Sequence, residues 1–502
     1  MALFLKAKKI DISSGDLYNI LLNEADAAKD GIGDADTLSI AWNDNNINVI
    51  IHLTSTDIEP GYVGIYSDIW EKFEVENDGI VDIFLPEPSQ SVDIIRKKML
   101  GKKLTEAELQ TIMKDMGSRR IGEIETAYFM STFFNPGFDE EETLWMTKAM
   151  AETGDILSFK DIKGNGDLVV DKHSIGGVAG KAVTPVLVPI IAAFDLIIPN
   201  TSTRAITSPA GTSDILEVVM PVSLNEEEIT STVKKTGACM VWGGALDLAP
   251  ADDVLIHVER VIHMESYQKL MVSIVAKKIS MGITHIVIDI PYGRGTKVQN
   301  PEDVEPIKKG FEKLFKKVGI NAFVYTRPVF GPDGRGVGPN LEMKEVLKIL
   351  ERREGRSKEL ESLALTMAGY LLELSGKALG GKGYDMALEK LDNKEALKKF
   401  WDIAKAQGAV KVVDSEDINP GKFVKEIVSD FDGSIKFVNN KELMKISRLL
   451  GCPGIKEAGI YLHKTCSETV KKGDTLMTLY SSSQARIDSA MESLDVASIF
   501  SL

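Results

Sequence analysis

Short hydrophobic segments separated by polar, turn-like stretches fill residues 1–85. Segments of this length, bounded by turns such as NDNN and EPGY, are typical of β-strands. The predicted strands are LFLKAKKIDI, LSIAW, NVIIHL, YVGIYS and DIFL. Pro86 and Pro88 end this region, which we predict to be a β-rich N-terminal module.

The hydrophobic period changes from that of a strand to that of a helix in residues 86–155. Thr105 followed three residues later by Glu108 predicts a capping box at the start of a helix, LTEAELQTIMKDM. The segment IGEIETAYFMSTFF predicts a second helix that ends at residues 135–137, and a third helix begins near Glu140. We predict a helical domain here, to which later helices could add.

Strand-like and helix-like segments alternate over residues 156–340, the pattern of an α/β domain. THIVIDIPYG and AFVYTRPV predict buried strands. The longest apolar run, from Val186 to Ile198, contains Pro189 and Asp195 and predicts a buried helix. In such domains ligands bind at the carboxyl ends of the strands.

Long helices are predicted again from residue 341 to about 400, followed by short strands. The predicted strands are AVKVV, GSIKFV, AGIYLHK and DTLMTLY. The predicted fold class is therefore multidomain α/β and α+β. Its domains are a β-rich module (1–85), a helical domain (86–155), a central α/β phosphate-binding domain (156–340) and a C-terminal α+β domain (341–502).

Composition and charge exclude several classes of protein. The 502 residues carry a net charge of −15, which opposes binding to nucleic-acid backbones or anionic membranes. The N-terminal apolar run is too short for a signal peptide, and no run approaches about 18 apolar residues. Cys239, Cys452 and Cys466 have no disulfide-like or zinc-like spacing. We expect a cytoplasmic protein with reduced thiols, no metal, no nucleic acid and no membrane partner.

Candidate chemistry concentrates in residues 171–212, which contain DKHSIGGVAGKAVTP and NTSTRAITSPAGTSD. Gly176 and Gly177 would let the backbone approach a ligand closely, and Lys172 and Ser174 would supply hydrogen-bond donors. The second segment surrounds Arg204 with hydroxyl groups, a composition that suits phosphate oxygens.

Two nucleotide-binding motifs are nearly present in the chain but fail on spacing. Lys181 follows Gly180 as in a P-loop, but Gly176 and Gly180 are one residue too close, and Ala182 replaces the Ser or Thr that binds magnesium. GRGVG at 334–338 lacks the full dinucleotide-binding spacing and predicts a loop.

Several motifs occur in an order that resembles a known family. They are LTEAELQTIM, DKHSIGG, TRAITSPAGTSD, VWGGALDLAPADD, SIVAKKISMG, DIPYGRGTKV, GRGVGPNLE and VKKGDTLMTLY. The chain resembles the thymidine/pyrimidine-nucleoside phosphorylases, most closely the archaeal AMP phosphorylases (nucleoside 5′-monophosphate phosphorylases). The string RAITSPAGT marks that branch, and the β-rich module resembles its additional N-terminal domain.

The resemblance implies phosphorolysis of AMP, or of another nucleoside 5′-monophosphate, to a free base and ribose 1,5-bisphosphate. Inorganic phosphate would be a co-substrate, with no cofactor and no covalent enzyme nucleophile. The resemblance also implies a homodimer or a larger homo-oligomer.

The same resemblance assigns residues to roles. It places the attacking phosphate near Lys172, Ser174, Ser202 and Thr212. It places the nucleotide against Gly177, Thr203, Arg204, Ala205, Ile206, Thr207, Ser208, Thr212, Ser273 and Lys297, and the base near Lys277. Arg204, Arg294 and Lys297 are candidate partners of the 5′-phosphate.

The proton donor departs from the family pattern, which has an Asp after the VER tripeptide. Here the segment is VERVIHMES, and the matching residue is Glu265. Its side chain is one methylene longer, and we expect partial burial to suit it to donating a proton. Asp252 and Asp253 are alternative donors nearby.

Three alternatives remain open. A pyrimidine-nucleoside phosphorylase would share the chemistry without a 5′-phosphate. A phosphoribosyltransferase of the anthranilate type would need acidic magnesium ligands, of which the sequence offers no convincing pair. A non-catalytic nucleotide-binding protein is suggested only by the Asp-to-Glu change at position 265.

Overall fold

The computed structural model describes residues 2–15, 18–34, 37–43, 45–85, 89–159, 162, 168–205, 208–246 and 248–502. The chain divides into two compact units. The first contains Met1–Thr153 and Pro250–Glu265, and the second contains Gly154–Ala249 and Ser266–Leu502.

The N-terminal part of the first unit is a closed β-barrel. Its elements are β1 (Ala2–Ile10), β2 (Asn19–Asn23), α1 (Glu24–Asp30), β3 (Thr37–Trp42), β4 (Asn45–Thr54), β5 (Tyr62–Tyr66), α2 (Ser67–Lys72) and β6 (Ile80–Phe84). The strand order is β1-β5-β2-β4-β3-β6, and β6 pairs with β1 to close the barrel around side chains such as Ile20, Ile40 and Ile65. The predicted β-rich module is confirmed, although β2 and the two short helices were not predicted.

Four helices follow in the described part of the first unit: α3 (Gln90–Met99), α4 (Glu106–Gly117), α5 (Glu123–Ser131) and α6 (Glu140–Ala151). The capping box of Thr105 and Glu108 is confirmed. The second helix ends four residues before the predicted turn, since Ser131 is its last residue. A buried ion pair joins α3 to α6, because Lys98 Nζ lies 2.7 Å from Glu142 Oε1.

Alternating strands and helices come next along the chain, and all of them except α10 belong to the second unit. The elements are β7 (Val170–Ser174), α7 (Val183–Ala192), β8 (Ile198–Ser202), α8 (Thr212–Leu216), α9 (Glu226–Thr236), β9 (Ala238–Trp242), α10 (Pro250–Ile262), α11 (Tyr267–Ser280), β10 (His285–Tyr292), α12 (Pro301–Lys317) and β11 (Asn321–Pro328). Of these, α10 belongs to the first unit. A 3₁₀ helix spans Gly243–Ala245.

The five strands that the structure describes in this region are parallel. One group has the order β11-β10-β7, the other is the pair β8-β9, and a parallel bridge between Val169 and Ile197 joins them. Their carboxyl ends therefore meet at one edge of the sheet. The two strands predicted as buried are β10 and β11, but only β10 is buried along its length, because Val324 is the one buried residue of β11. The predicted buried helix is α7, whose ten residues are all buried, although it ends at Ala192 and Ile198 begins β8.

The remainder of the second unit contains four helices followed by mixed elements. These are β12 (Gly336–Val337), α13 (Pro339–Leu350), α14 (Lys358–Leu374), α15 (Gly383–Asp392), α16 (Glu395–Ala406), β13 (Phe423–Val428), β14 (Gly433–Ser434), β15 (Phe437–Val438), α17 (Asn440–Leu450), β16 (Gly459–Leu462), β17 (Thr469–Val470), β18 (Thr475–Ser481), α18 (Gln484–Glu492), α19 (Val496–Ile499) and β19 (Phe500–Ser501). A second 3₁₀ helix spans Ser415–Asp417.

These elements build two cores. Buried residues of α13 to α16 share one hydrophobic core with α7, whereas the late strands surround a second core. The sheet β12-β16-β18-β13 is antiparallel. The predicted α+β character is confirmed, but the prediction of a strand at AVKVV is wrong, since residues 409–413 form no strand and Val410 is 97% exposed.

None of the helices in the described part of the chain has both the length and the hydrophobicity needed to span a bilayer.

Candidate active site

The parallel sheet brings several predicted residues to its carboxyl edge. Ser174 is the last residue of β7, and Ser202 is the last residue of β8. Lys172 and Ser174 are two positions apart on β7, so their side chains leave the same face of the strand. Two of the predicted phosphate contacts therefore share one face at the edge where α/β domains bind ligands.

Lys172 is buried, and its Nζ donates a hydrogen bond to Thr184 Oγ1 at 3.0 Å. Burial, and next the nearby charge of Lys181, lower the pKa of Lys172 to about 7. An anion bound here would favour the charged form of this lysine.

A network of charged side chains surrounds Ser174. Its Oγ donates to Asp289 Oδ2 at 2.8 Å, and Lys181 Nζ contacts both Ser174 Oγ and the Asp289 carboxylate. Arg327 donates from Nε to Asp289 at 2.9 Å and binds Asp333 through both terminal nitrogens. Burial alone would raise the pKa of Asp289, but Lys181 and Arg327 hold it well below its ordinary value. Asp289 is therefore ionised.

A second buried ion pair involves Asp171 of β7. Lys278 Nζ lies 2.6 Å from Asp171 Oδ2, while Asn200 Nδ2 donates to Asp171 Oδ1 at 2.7 Å.

Desolvation and the surrounding lysines lower the pKa of His173 well below its ordinary value. His173 is thus neutral and does not add positive charge to the site.

Gly177 and Lys297, both predicted to contact the nucleotide, lie against each other. Gly177 has φ +85°, and a Cβ at this position would lie 2.6 Å from the backbone nitrogen of Lys297. Glycine is required both by the left-handed conformation and by this close approach. The Gly-rich loop and the loop after β10 therefore form one surface.

The loop that follows β8 is fixed by a carboxylate. Asp214 Oδ2 accepts hydrogen bonds from the backbone nitrogens of Ala205, at 2.7 Å, and Gly211, at 2.8 Å. Ser208 Oγ donates to Ala210 O, and Ser202 Oγ lies 2.8 Å from Ser213 Oγ. Two predicted contacts, Ile206 and Thr207, lie outside the described residues.

Arg204 is held by a carboxylate and an aromatic ring. Its terminal nitrogens donate to both oxygens of Glu217 at 2.7 and 2.5 Å, and its guanidinium group lies 4.5 Å from the ring centroid of Trp242. Lys456 Nζ binds the same Glu217 carboxylate at 2.9 Å. Two of the five guanidinium N–H groups are engaged by Glu217, and 37% of the side chain remains exposed.

The other predicted substrate contacts lie in varied surroundings. Thr203 is exposed, and Thr212 is the first residue of α8. Ser273 is buried on α11, and Lys277 is half-buried one turn later. Arg294 is exposed and lies 4.9 Å from the ring centroid of Phe437.

Glu265 lies between α10 and α11 and is the last residue of the first unit. It is exposed, so the partial burial expected for the proton donor is not found. The alternative donor Asp252 is fully buried on α10, whereas Asp253 is exposed. The donor assignment remains a prediction.

The described residues contain no group of three or more His, Cys, Asp or Glu side chains arranged to hold a metal ion. All three cysteines are free thiols, and burial raises the pKa of Cys239 and Cys452. A reaction without metal remains a prediction.

Sequence motifs indicated Lys172, Ser174 and Arg204, but not the side chains that hold them. Asp289, Arg327, Asp333, Glu217, Trp242 and Lys456 were not predicted. Asp289 and Trp242 lie in the motifs DIPYGRGTKV and VWGGALDLAPADD, but no sequence pattern linked them to Ser174 or Arg204.

Family models match three consecutive parts of the chain. Residues 92–154 match the helical bundle domain of a glycosyl transferase family, and residues 166–397 match its a/b domain. Residues 434–501 match the pyrimidine nucleoside phosphorylase C-terminal domain.

Similar proteins extend the comparison to nearly the whole chain. An AMP phosphorylase of Methanococcoides burtonii is 38% identical over 489 residues, which are 97% of this chain and 95% of that protein. AMP phosphorylases of Methanococcus vannielii and Archaeoglobus fulgidus, the latter named AMP phosphorylase 1, are 38% and 36% identical over 97% of this chain and 95% of theirs. Anthranilate phosphoribosyltransferase from Thermus thermophilus is similar in fold alone, with TM-score 0.52 and 17% identity over 63% of this chain and 99% of that one. By its match to these relatives from end to end, the chain belongs to the AMP phosphorylase family.

Proposed function

We propose that this protein splits the glycosidic bond of AMP with inorganic phosphate, releasing adenine and ribose 1,5-bisphosphate. The observation that carries the proposal is the convergence of Lys172, Ser174 and the Arg204 loop at the carboxyl ends of β7 and β8. The names of the similar proteins point to the same substrate. The reaction makes the enzyme a pentosyltransferase.

In the proposed reaction a phosphate oxygen attacks C1′ of the ribose from the face opposite the base. The new C1′–O bond forms as the C1′–N bond breaks, and Glu265 gives its proton to the departing base. Lys172 and Ser174 hold and orient the phosphate, so that catalysis rests on positioning and charge stabilisation. The loop fixed by Asp214 presents Arg204 to the 5′-phosphate.

We further propose that phosphate is the only co-substrate and that no cofactor takes part. The protein would act in the cytoplasm as a homodimer or a larger homo-oligomer. The co-substrate and the oligomer rest on the family resemblance, and the cytoplasmic location rests on three cysteines that have no disulfide-like spacing.

A product assay tests the proposal directly. Purified protein is incubated with AMP, CMP, UMP and the matching nucleosides, with and without phosphate, and free base is separated by chromatography. We expect phosphate-dependent adenine release from AMP and little from adenosine. Release from uridine alone would instead support a pyrimidine-nucleoside phosphorylase, the second candidate, which the match at residues 434–501 favours. No release from any substrate would support a non-catalytic nucleotide-binding protein.

Replacement of Arg204 should change substrate preference. We expect Arg204→Ala to raise KM for AMP about tenfold, because it removes a charge-assisted hydrogen bond worth about 1.5 kcal/mol. KM for adenosine, which has no 5′-phosphate, should change much less. Initial rates at varied concentrations of each substrate give the two values.

The matched control is Lys456→Met, which removes the other cation from the Glu217 carboxylate. Since Lys456 is not predicted to contact substrate, its replacement should leave the ratio of the two KM values unchanged. If Arg204→Ala raises both KM values equally, Arg204 does not bind the 5′-phosphate.

A further inference from the structure

Lys181 is the lysine of the near-P-loop motif, and nothing in the proposed function uses it. It stands at the end of the Gly-rich loop, just before α7. Positive φ angles at Gly176, Gly177 and Gly180 turn this loop back on itself. As a result Lys181 Nζ contacts Ser174 Oγ, seven residues earlier in the chain, and only 9% of the lysine side chain is exposed.

The surroundings of Ser174 pose an electrostatic problem for a phosphate. Asp289 is fully buried, is ionised, and lies 2.8 Å from the Ser174 hydroxyl group. A phosphate that accepts the one O–H of Ser174 would replace Asp289 as its acceptor and would lie beside that carboxylate. Repulsion between like charges inside a protein is stronger than in water. Arg327 does not by itself cancel the charge of Asp289, because its single positive charge is shared with Asp333.

Lys181 is positioned to reduce the repulsion between a bound phosphate and Asp289. An ammonium group has three N–H donors, and the contacts with Asp289 and Ser174 account for two of them. The third remains for an oxygen of a phosphate bound at Ser174. The lysine would then separate the two anions and bind both.

We propose that Lys181 is a second phosphate-binding lysine, anchored by Asp289 and donating to the attacking phosphate beside Lys172 and Ser174. The inference rests on the proposed function, since it assumes that phosphate binds at Ser174. It adds a contact that neither the P-loop spacing nor the family resemblance indicated.

Steady-state kinetics with phosphate and AMP varied separately test the assignment. Lys181→Met should raise KM for phosphate about tenfold, the loss expected for a charged hydrogen bond, and leave KM for AMP within about twofold. Lys181→Arg, which keeps the charge, should recover part of the phosphate affinity. Equal KM values for phosphate in wild type and Lys181→Met would overturn the proposal.

A double variant separates phosphate binding from simple neutralisation of Asp289. If Lys181 serves only to neutralise that carboxylate, Lys181→Met combined with Asp289→Asn should restore the wild-type KM for phosphate. If Lys181 itself binds phosphate, the double variant should keep the raised KM. Thermal unfolding midpoints of all variants show whether each is folded, and Lys181→Arg provides the comparison if Lys181→Met is not.

Calorimetric titration of the free protein with inorganic phosphate distinguishes failure of this inference from failure of the proposed function. Weaker phosphate binding by Lys181→Met would support the inference even if wild-type protein released no adenine. Active wild-type enzyme whose phosphate affinity is unaffected by Lys181→Met would retain the function and overturn the inference.

Discussion

Replacing Glu265 by Gln should lower kcat for AMP phosphorolysis by about 10²–10⁴-fold, the usual contribution of a general acid. Gln keeps the size and hydrogen bonding of Glu but has no acidic proton to give to the departing base. Because the charge on the phosphate and the ribose contacts are unchanged, the Kd for AMP should stay within about twofold. Single-turnover rates and equilibrium dialysis with AMP measure the two quantities separately.

A substrate that needs no proton provides the sharpest control for Glu265. A purine nucleotide methylated at N7 carries a positive charge before the bond breaks, so its base departs without protonation. With this substrate, the kcat of Glu265→Gln should therefore be much closer to the kcat of wild type than it is with AMP. Asp253→Asn, on the exposed face of α10, is the matched variant and should retain turnover. An unchanged kcat in Glu265→Gln, or a large loss in Asp253→Asn, would move the role of donor away from Glu265.

The sequence predicted those parts of the fold whose patterns are long or chemically distinctive. β10 is a nearly continuous apolar strand because a parallel sheet covered on both faces needs apolar residues throughout. The capping box of Thr105 and Glu108 is a local signal that depends only on neighbouring residues.

Features that depend on distant partners were missed or wrongly predicted. The apolar run of β2, residues 20–22, does not alternate with polar residues, so its pattern does not distinguish a strand from a helical turn. The β-branched segment AVKVV has the composition of a strand, but strand formation depends on a neighbouring strand, and Val410 is almost fully exposed.

The same distinction applies to the candidate site. Lys172 and Ser174 lie at the end of β7, just before a glycine-rich loop, and Arg204 lies in a loop rich in hydroxyl groups. Their residue types and context therefore predicted phosphate chemistry. Several of the side chains around them lie far along the chain: Asp289 is 115 residues from Ser174. Glu217 is only 13 residues from Arg204, but Lys456, which binds the same carboxylate, is 239 residues from Glu217. No local pattern contains such contacts, and only the folded chain reveals that Arg204 and Lys181 are each anchored by a carboxylate.

Replacing Lys172 by Met should reduce kcat/KM for phosphate by about a hundredfold, since it removes a buried positive group beside the attacking anion. Titration of Lys172 should also make anion binding depend on pH. Its pKa of about 7 means that it loses its charge as the pH rises above neutrality. An anion that prefers the charged lysine should therefore bind more weakly at higher pH and take up a proton as it binds.

Sulfate is the suitable probe for this proton, because it competes as an anion but does not itself titrate near neutral pH. Its Kd for the free protein should rise about tenfold per pH unit above about pH 7, the slope for uptake of one proton. Neutral His173 does not contribute to this slope, and Asp289 stays ionised throughout, whereas Lys181 also has a lowered pKa. Lys172→Arg keeps its charge at every pH and should flatten the slope. If the Kd for sulfate depends on pH in Lys172→Arg as it does in wild type, the proton is taken up by Lys181. If the Kd for sulfate in wild type does not depend on pH, no titrating lysine lies at the phosphate position.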